Sequence, residues 1–134
     1  MSTGAVFTKN GFNAMIEKAF SSTSTKTVPS RFGIGTGTTT PVVTDTALET
    51  KIATWSGGSD YKNYVSGFPT FDTANQKVTV QGFVASTEAN GNTITEYGDF
   101  NTDGTPILSS HCVVTGLTKT SAVQIYFTTT YKRA

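Results

Sequence analysis

The stretch KVTVQGFVAS, residues Lys77–Ser86, decides the fold. Val78, Val80 and Gly82 fall on one side of an extended chain, and Thr79, Gln81 and Phe83 on the other. This two-residue period belongs to a strand with one face in a core. The same alternation returns near the C-terminus in AVQIYFTTTYK, where Val123, Ile125 and Phe127 alternate with Gln124, Tyr126 and Thr128. Between them, NGNTITEYGDF follows an Asn-Gly step that predicts a hairpin, and PILSSHCVVTG reads as a further strand. Upstream, DYKNYVSGFPTFD carries Tyr61, Tyr64, Phe68 and Phe71 as a strand broken near Gly67 and Pro69. VPSRFGIGTG opens the β region, with Pro29 suited to a strand start or edge. GTGTTTPVVTDT reads as a loop and ALETKIATW as a helical turn or a strand. Several strands parted by turn clusters predict a mainly β protein, an antiparallel β-sandwich or Greek-key barrel.

One helix precedes them. In NGFNAMIEKAF, the residues Phe12, Met15, Ile16, Ala19 and Phe20 recur at helical spacing and form one apolar stripe. Asn10 is placed to cap its start, and the run SSTSTKT ends it. A helix of about three turns is marginal alone and must dock on its own sheet or on a neighbouring subunit. The chain therefore divides into an N-terminal helical docking segment, residues 1–27, and a β-sandwich, residues 28–134, within a single domain.

Composition narrows the partners. Charged residues are 14% of the chain and the net charge is +1, which argues against steering toward nucleic acid or an acidic membrane. Hydrophobic residues make up 36%, and Thr and Ser supply the remaining polarity, a mixture that favours strands and turns over long helices. A single cysteine, Cys112, cannot form an internal disulfide. The start, MSTGAVFTKNGF, lacks the basic lead and apolar core of a signal peptide, and no window nears the roughly 18 apolar residues of a membrane span. The expectation is a chain made in a cytoplasm, with no membrane partner.

Five candidate sites arise from residue types and their spacing. Asp99, Asn101, Asp103 and Gly104 in YGDFNTDGTPIL imitate the opening of a calcium loop, but its twelfth position holds Ser110 rather than a bidentate Glu, and Pro106 occupies the eighth. NTDG is better read as a turn, with Asn and Asp bonding local backbone and Gly104 at positive φ. In FGIGTGT the third glycine of a dinucleotide fingerprint falls on Thr38. Gly33, Gly35 and Gly37 instead suggest a strand closely approached by another backbone. His111 and Cys112 are strand neighbours and point to opposite faces, so they cannot act as a dyad. Glu88, Glu96, Asp99 and Asp103 show no spacing that singles out a hydrolytic pair. Aromatic residues near Lys62, Lys132 and Arg133 would stack on nucleic acid only against the near-neutral charge. No catalytic, cofactor or metal site is assigned.

Three segments in order, FTKNGFNAMIEKAF, RFGIGTGTTTPVVTDTALETKI and GNTITEYGDFNTDGTPILSSHCVV, give the chain a resemblance. It resembles the small tail-fibre and tail-collar-like virion structural proteins of tailed bacteriophages. Those proteins start with a T-N-x-G helix, continue through a G-x-G-T-x-x-P…D-T-x-L loop and carry a T-E-x-G-L-F…D-G hairpin near the end. Gly35, Gly37 and Pro41 match the loop, and Asp45, Thr46 and Leu48 its exit. Glu96, Gly98, Phe100, Asp103 and Gly104 match the hairpin. Asp99 departs from the apolar residue usual there, which suggests an exposed or interfacial position.

The resemblance implies a non-enzymatic structural protein of the virion, at the tail, baseplate, collar or fibre, made in the host cytoplasm. It would act by contacts with other virion proteins and with copies of itself, as a homotrimer or a hexameric ring. Phe12, Ile16, Phe20, Trp55, Tyr61, Tyr64 and Phe68 are the expected interface residues. A capsid decoration protein is the neighbouring alternative. From another class, a carbohydrate-binding receptor-recognition module would stack sugars on Trp55, beside SGGSDY.

Overall fold

The computed structural model describes residues 5–133. The elements are β1 (Val6–Phe7), α1 (Lys9–Phe20), β2 (Arg31–Gly35), β3 (Lys62–Asn63), β4 (Thr70–Asp72), β5 (Lys77–Val84), β6 (Thr93–Phe100), β7 (Leu108–Thr118) and β8 (Ile125–Lys132). Every strand pairing is antiparallel. Five strands form one sheet in the order β1-β7-β6-β2-β3, and three form the other in the order β4-β5-β8. The fold is a β-sandwich with one short helix.

The alternation in β5 and β8 builds the small sheet. Val80, Val84, Ile125 and Phe127 are buried, while Tyr126, Thr128 and Thr130 on the opposite face of β8 are exposed. Their inward side chains join Phe32, Ile34, Tyr97, Cys112 and Val114 of the large sheet in one core. Stacked rings bridge the layers, with Tyr97 between Phe32 (centroids 5.4 Å apart) and Phe127 (4.9 Å). Such offset aromatic contacts add to the area they bury. Gly82 leaves room for the Phe32 ring, which a Cβ there would meet at 2.7 Å.

Local chemistry departs from the sequence reading at several points. Thr8, not Asn10, caps α1. Its Oγ1 accepts from Gly11 N (3.1 Å) and donates to Leu108 O, a bond Asn10 inside the helix cannot make. The segment before residue 28 is not helical alone, since β1 pairs Val6 with His111 and Phe7 with Ser110. The Asn-Gly step, with Gly91 at φ +87°, is a turn but closes no hairpin. It carries the chain from β5 in one sheet to β6 in the other. The turn closes instead on the β7–β8 connection, with Gly91 N bonded to Lys119 O and Lys119 N to Asn92 O. The buried Lys119 ammonium donates to Asn90 Oδ1, Ser86 O and Thr120 O. ALETKIATW is neither helix nor strand, apart from one bridge between Gly35 and Lys51.

The NTDG segment lies in the connection from β6 to β7. Asn101 Oδ1 accepts from Asp103 N and Ile107 N, and Asp103 accepts from the backbone and hydroxyl of Thr27. Gly104 does not take positive φ. The connection is longer than a two-residue turn and is shaped by the Asn101 side chain, so it has no need of left-handed backbone there. Among the described residues, no group of acidic, His or Cys side chains is arranged to hold a metal ion, and no helix is long and apolar enough to cross a membrane.

Candidate functional site

The long connection between β2 and β3 lies over the outer face of the large sheet, and glycines make that approach fit. Gly33 and Gly98 are cross-strand partners, as are Gly35 and Glu96. A Cβ on Gly35 would meet Thr50 O at 2.5 Å, and one on Gly98 would meet Leu48 Cδ2 at 2.9 Å. The close approach expected of Gly33, Gly35 and Gly37 is that of this connection. Glu96 is the anchor beneath it, fully buried. Its carboxylate accepts from the backbone N–H of Gly37 (2.9 Å), Glu49 (2.6 Å) and Thr50 (3.0 Å).

His111, opposite Gly98 on β7, completes the clasp. Its Nε2 lies 2.9 Å from Glu96 Oε1 and its Nδ1 2.7 Å from Asp45 Oδ2. Burial works to raise the Glu96 pKa, but the bond from His111 and the three backbone donors outweigh it and hold it at about 2. Burial works to lower the His111 pKa, and the two carboxylates reverse this and raise it. Both ring nitrogens donate only in the imidazolium form, so the geometry is that of a cation between two anions. A histidine so used has no nitrogen left to accept a proton from a substrate. The cleft beside it, about 270 Å³, is lined by Thr39, Thr40, Asp45, Ala47, Glu49 and His111. Glu49 is itself occupied by the backbone and hydroxyl of Thr39.

A second cluster sits between the sheets. Asp99 is fully buried, which corrects the exposed or interfacial position expected of it. It accepts from Tyr97 Oη (2.6 Å), Tyr64 Oη (2.9 Å), Tyr131 Oη (2.7 Å) and Ser110 Oγ (2.6 Å). Burial raises its pKa, and the four hydroxyls counter in part. Four donors fill the lone-pair positions of a carboxylate, so nothing of Asp99 remains for chemistry. Among the described residues, no buried side-chain polar atom lacks a hydrogen-bond partner.

The opposite condition holds on one flank. In α1 only Gly11 is buried, because its missing side chain lets the helix sit on Ser109 of β7. The apolar stripe faces outward: Phe12 is 51%, Met15 46%, Ile16 40% and Phe20 83% exposed. Val42 and Val43 are also exposed, and Val43 O accepts from Lys9 N at the helix start. The apolar side of this amphipathic helix is thus left uncovered by the rest of the described residues.

The expected interface residues thus separate. Phe12, Ile16 and Phe20 lie on the uncovered flank. Trp55 does not lie at the surface at all. It is 6% exposed, packs on Phe32 at 5.3 Å and donates Nε1–H to Asp60 O, so it offers sugars no stacking face. Tyr61 lies under the Arg31 guanidinium and against Phe100, Tyr64 is tied to Asp99, and Phe68 is half-buried. Glu88 holds Lys62, Ser56 and the Ala85 N–H. The Asp45–His111–Glu96 clasp was not read from the sequence. Its members are far apart in the chain, and only the glycines beside them hinted at a covered sheet face.

Comparison of the chain with protein-family models, with curated proteins and with solved structures gives no match.

Proposed function

We propose that this protein is a non-enzymatic assembly subunit, working through contacts with copies of itself and neighbouring proteins, as a structural component of a tailed-phage virion. The observation that carries the assembly reading is the uncovered stripe of Phe12, Met15, Ile16 and Phe20 on α1. Those side chains sit on a body whose reactive groups are occupied: His111 by two carboxylates, Asp99 by four hydroxyls, Glu96 by four donors. Placement in a virion, at the tail, baseplate, collar or fibre, rests on the resemblance of the three sequence segments. The favoured assembly is a homotrimer, with a hexamer next, and capsid decoration is the neighbouring role.

Sedimentation tests the assembly reading. The wild-type chain is expected to associate at micromolar concentration, and Ile16→Asp with Phe20→Asp to return it to a monomer with an unchanged circular dichroism spectrum. A wild-type chain that stays monomeric at every concentration overturns it. Mass spectrometry of purified particles tests the location, since a virion component co-purifies at fixed stoichiometry.

A further inference from the structure

The edges of the two sheets are treated differently. An edge strand presents unpaired backbone N–H and C=O groups to any passing strand, and proteins blunt such edges with short strands, charges, prolines or bulges. In the large sheet β1 and β3 each have two residues, and in the small sheet β4 has three. Beyond its pairs with β1 at Ser110 and His111, β7 also runs along that edge, but its pairing with β6 slips register twice. Strand β8 lacks these protections over all but its last residue, Lys132. It is an edge of eight residues, in unbroken register with β5 from Lys77↔Lys132 to Val84↔Ile125. It carries no proline, and no charge from Ile125 to Tyr131. Among the described residues β5 is its only strand partner.

This edge is continuous with the helical flank. The Phe7 ring touches Phe12 of α1 at 6.0 Å and Tyr131 near the end of β8 at 5.1 Å. The apolar stripe and the unprotected strand therefore meet in one surface.

We infer that β8 pairs antiparallel with β8 of a second copy, joining two three-stranded sheets into one of six strands. The edge is its own complement under a twofold axis, because each outward N–H of one strand meets an outward C=O of the other. With Thr128 on the twofold axis it faces its own counterpart on the outer face and Thr130 faces Tyr126, a cross-strand pairing with no charge to repel. On the inner face Phe127 and Tyr131 extend the core across the junction. The pairing is strand addition between identical edges. It rests on the self-association reading above and, being twofold, names the contact that would join two trimers into a hexamer.

Two measurements test the edge separately from that reading. Thr128→Cys places a thiol on the open edge, while the native Cys112 is 1% exposed. Paired strands bring facing Cα atoms within disulfide range, so mild oxidation should convert most of this variant to a covalent dimer, and should convert little of a Ser66→Cys control. Thr128→Lys with Thr130→Lys, and the matching pair of Glu substitutions, should each weaken association about tenfold or more by placing like charges opposite each other. Mixing the Lys and Glu variants should restore association, which also shows that both fold.

Wild-type association with no Thr128→Cys dimer, and with Lys and Glu variants that assemble like wild type, overturns the edge pairing and leaves the helical contact standing. Equal capture of a foreign strand without any dimer of this chain overturns the choice of a second copy. A wild-type monomer at all concentrations overturns both readings.

Discussion

The interior of the large sheet and the flank formed by α1 and β8 treat their side chains in opposite ways. Inside, a carboxylate that would be costly to bury meets four hydroxyls, and a histidine is held between two acids. Outside, Phe20 stands 83% exposed and, among the described residues, the outer edge of the eight-residue strand β8 has no strand neighbour. Polar groups are satisfied where water is absent, and apolar ones are left bare where water is present. A monomer built only for its own stability would do the reverse on the flank. The contrast separates an interior whose polar groups are all satisfied from a flank whose apolar groups are left bare, and the proposed assembly rests on that separation.

Substitutions that break the interior should cost most. Asp99→Ala leaves four buried hydroxyls without their acceptor and should destabilise the fold by about 4 kcal/mol in urea titration. Next, His111→Ala leaves Glu96 and Asp45 without their cation and should cost about 3 kcal/mol. The pH dependence follows from the shifts. The folded His111 pKa lies above its ordinary 6.5, so its stabilisation is complete below that value and is lost as pH rises through the raised pKa. Glu96, held at about 2 against an ordinary 4.5, contributes above 4.5 and loses that contribution as pH falls toward 2. Melting temperature should therefore decline on the alkaline side in the wild type and lose that decline in His111→Gln.

The junction between the regions should give an intermediate effect. Gly11→Ala drives a methyl group into Ser109, whose Cα lies 2.5 Å from the position of that Cβ. The expected loss is about 2 kcal/mol, with α1 lifted from β7, read as faster amide exchange at Thr8 and Phe12. On the flank itself, Phe20→Ser should change the stability of the monomer by less than about 0.5 kcal/mol while weakening association. A large stability loss from Phe20→Ser would erase the distinction between scaffold and contact.

Much of the scaffold was legible because alternation is a local signal. Val80 and Val84 against Thr79 and Gln81, or Ile125 and Phe127 against Tyr126 and Thr128, read directly as one wet and one dry face. The helix was equally plain, although its stripe could not say whether it met its own sheet or another chain. Pairing was harder to read. The Asn-Gly step announces a turn by its backbone preference, but the buried Lys119, anchored on Asn90, sends the chain to the other sheet. Asp99 was misplaced because a charge in a strand ordinarily marks the wet face. Its three tyrosines, Tyr64, Tyr97 and Tyr131, come from separate parts of the chain. The clasp around His111 was hidden for the same reason, since Asp45 and Glu96 meet it only after the connection folds over the sheet.

The placement of β1 has a mechanical consequence. Its two residues pair with Ser110 and His111, the residues through which β7 enters the tyrosine cluster and the acid clasp. A neighbour gripping α1 and pulling would load Val6 and Phe7 at one end of the helix, on those two residues of β7, and β2 at the other. The handle is thin, but it is tied to the keel.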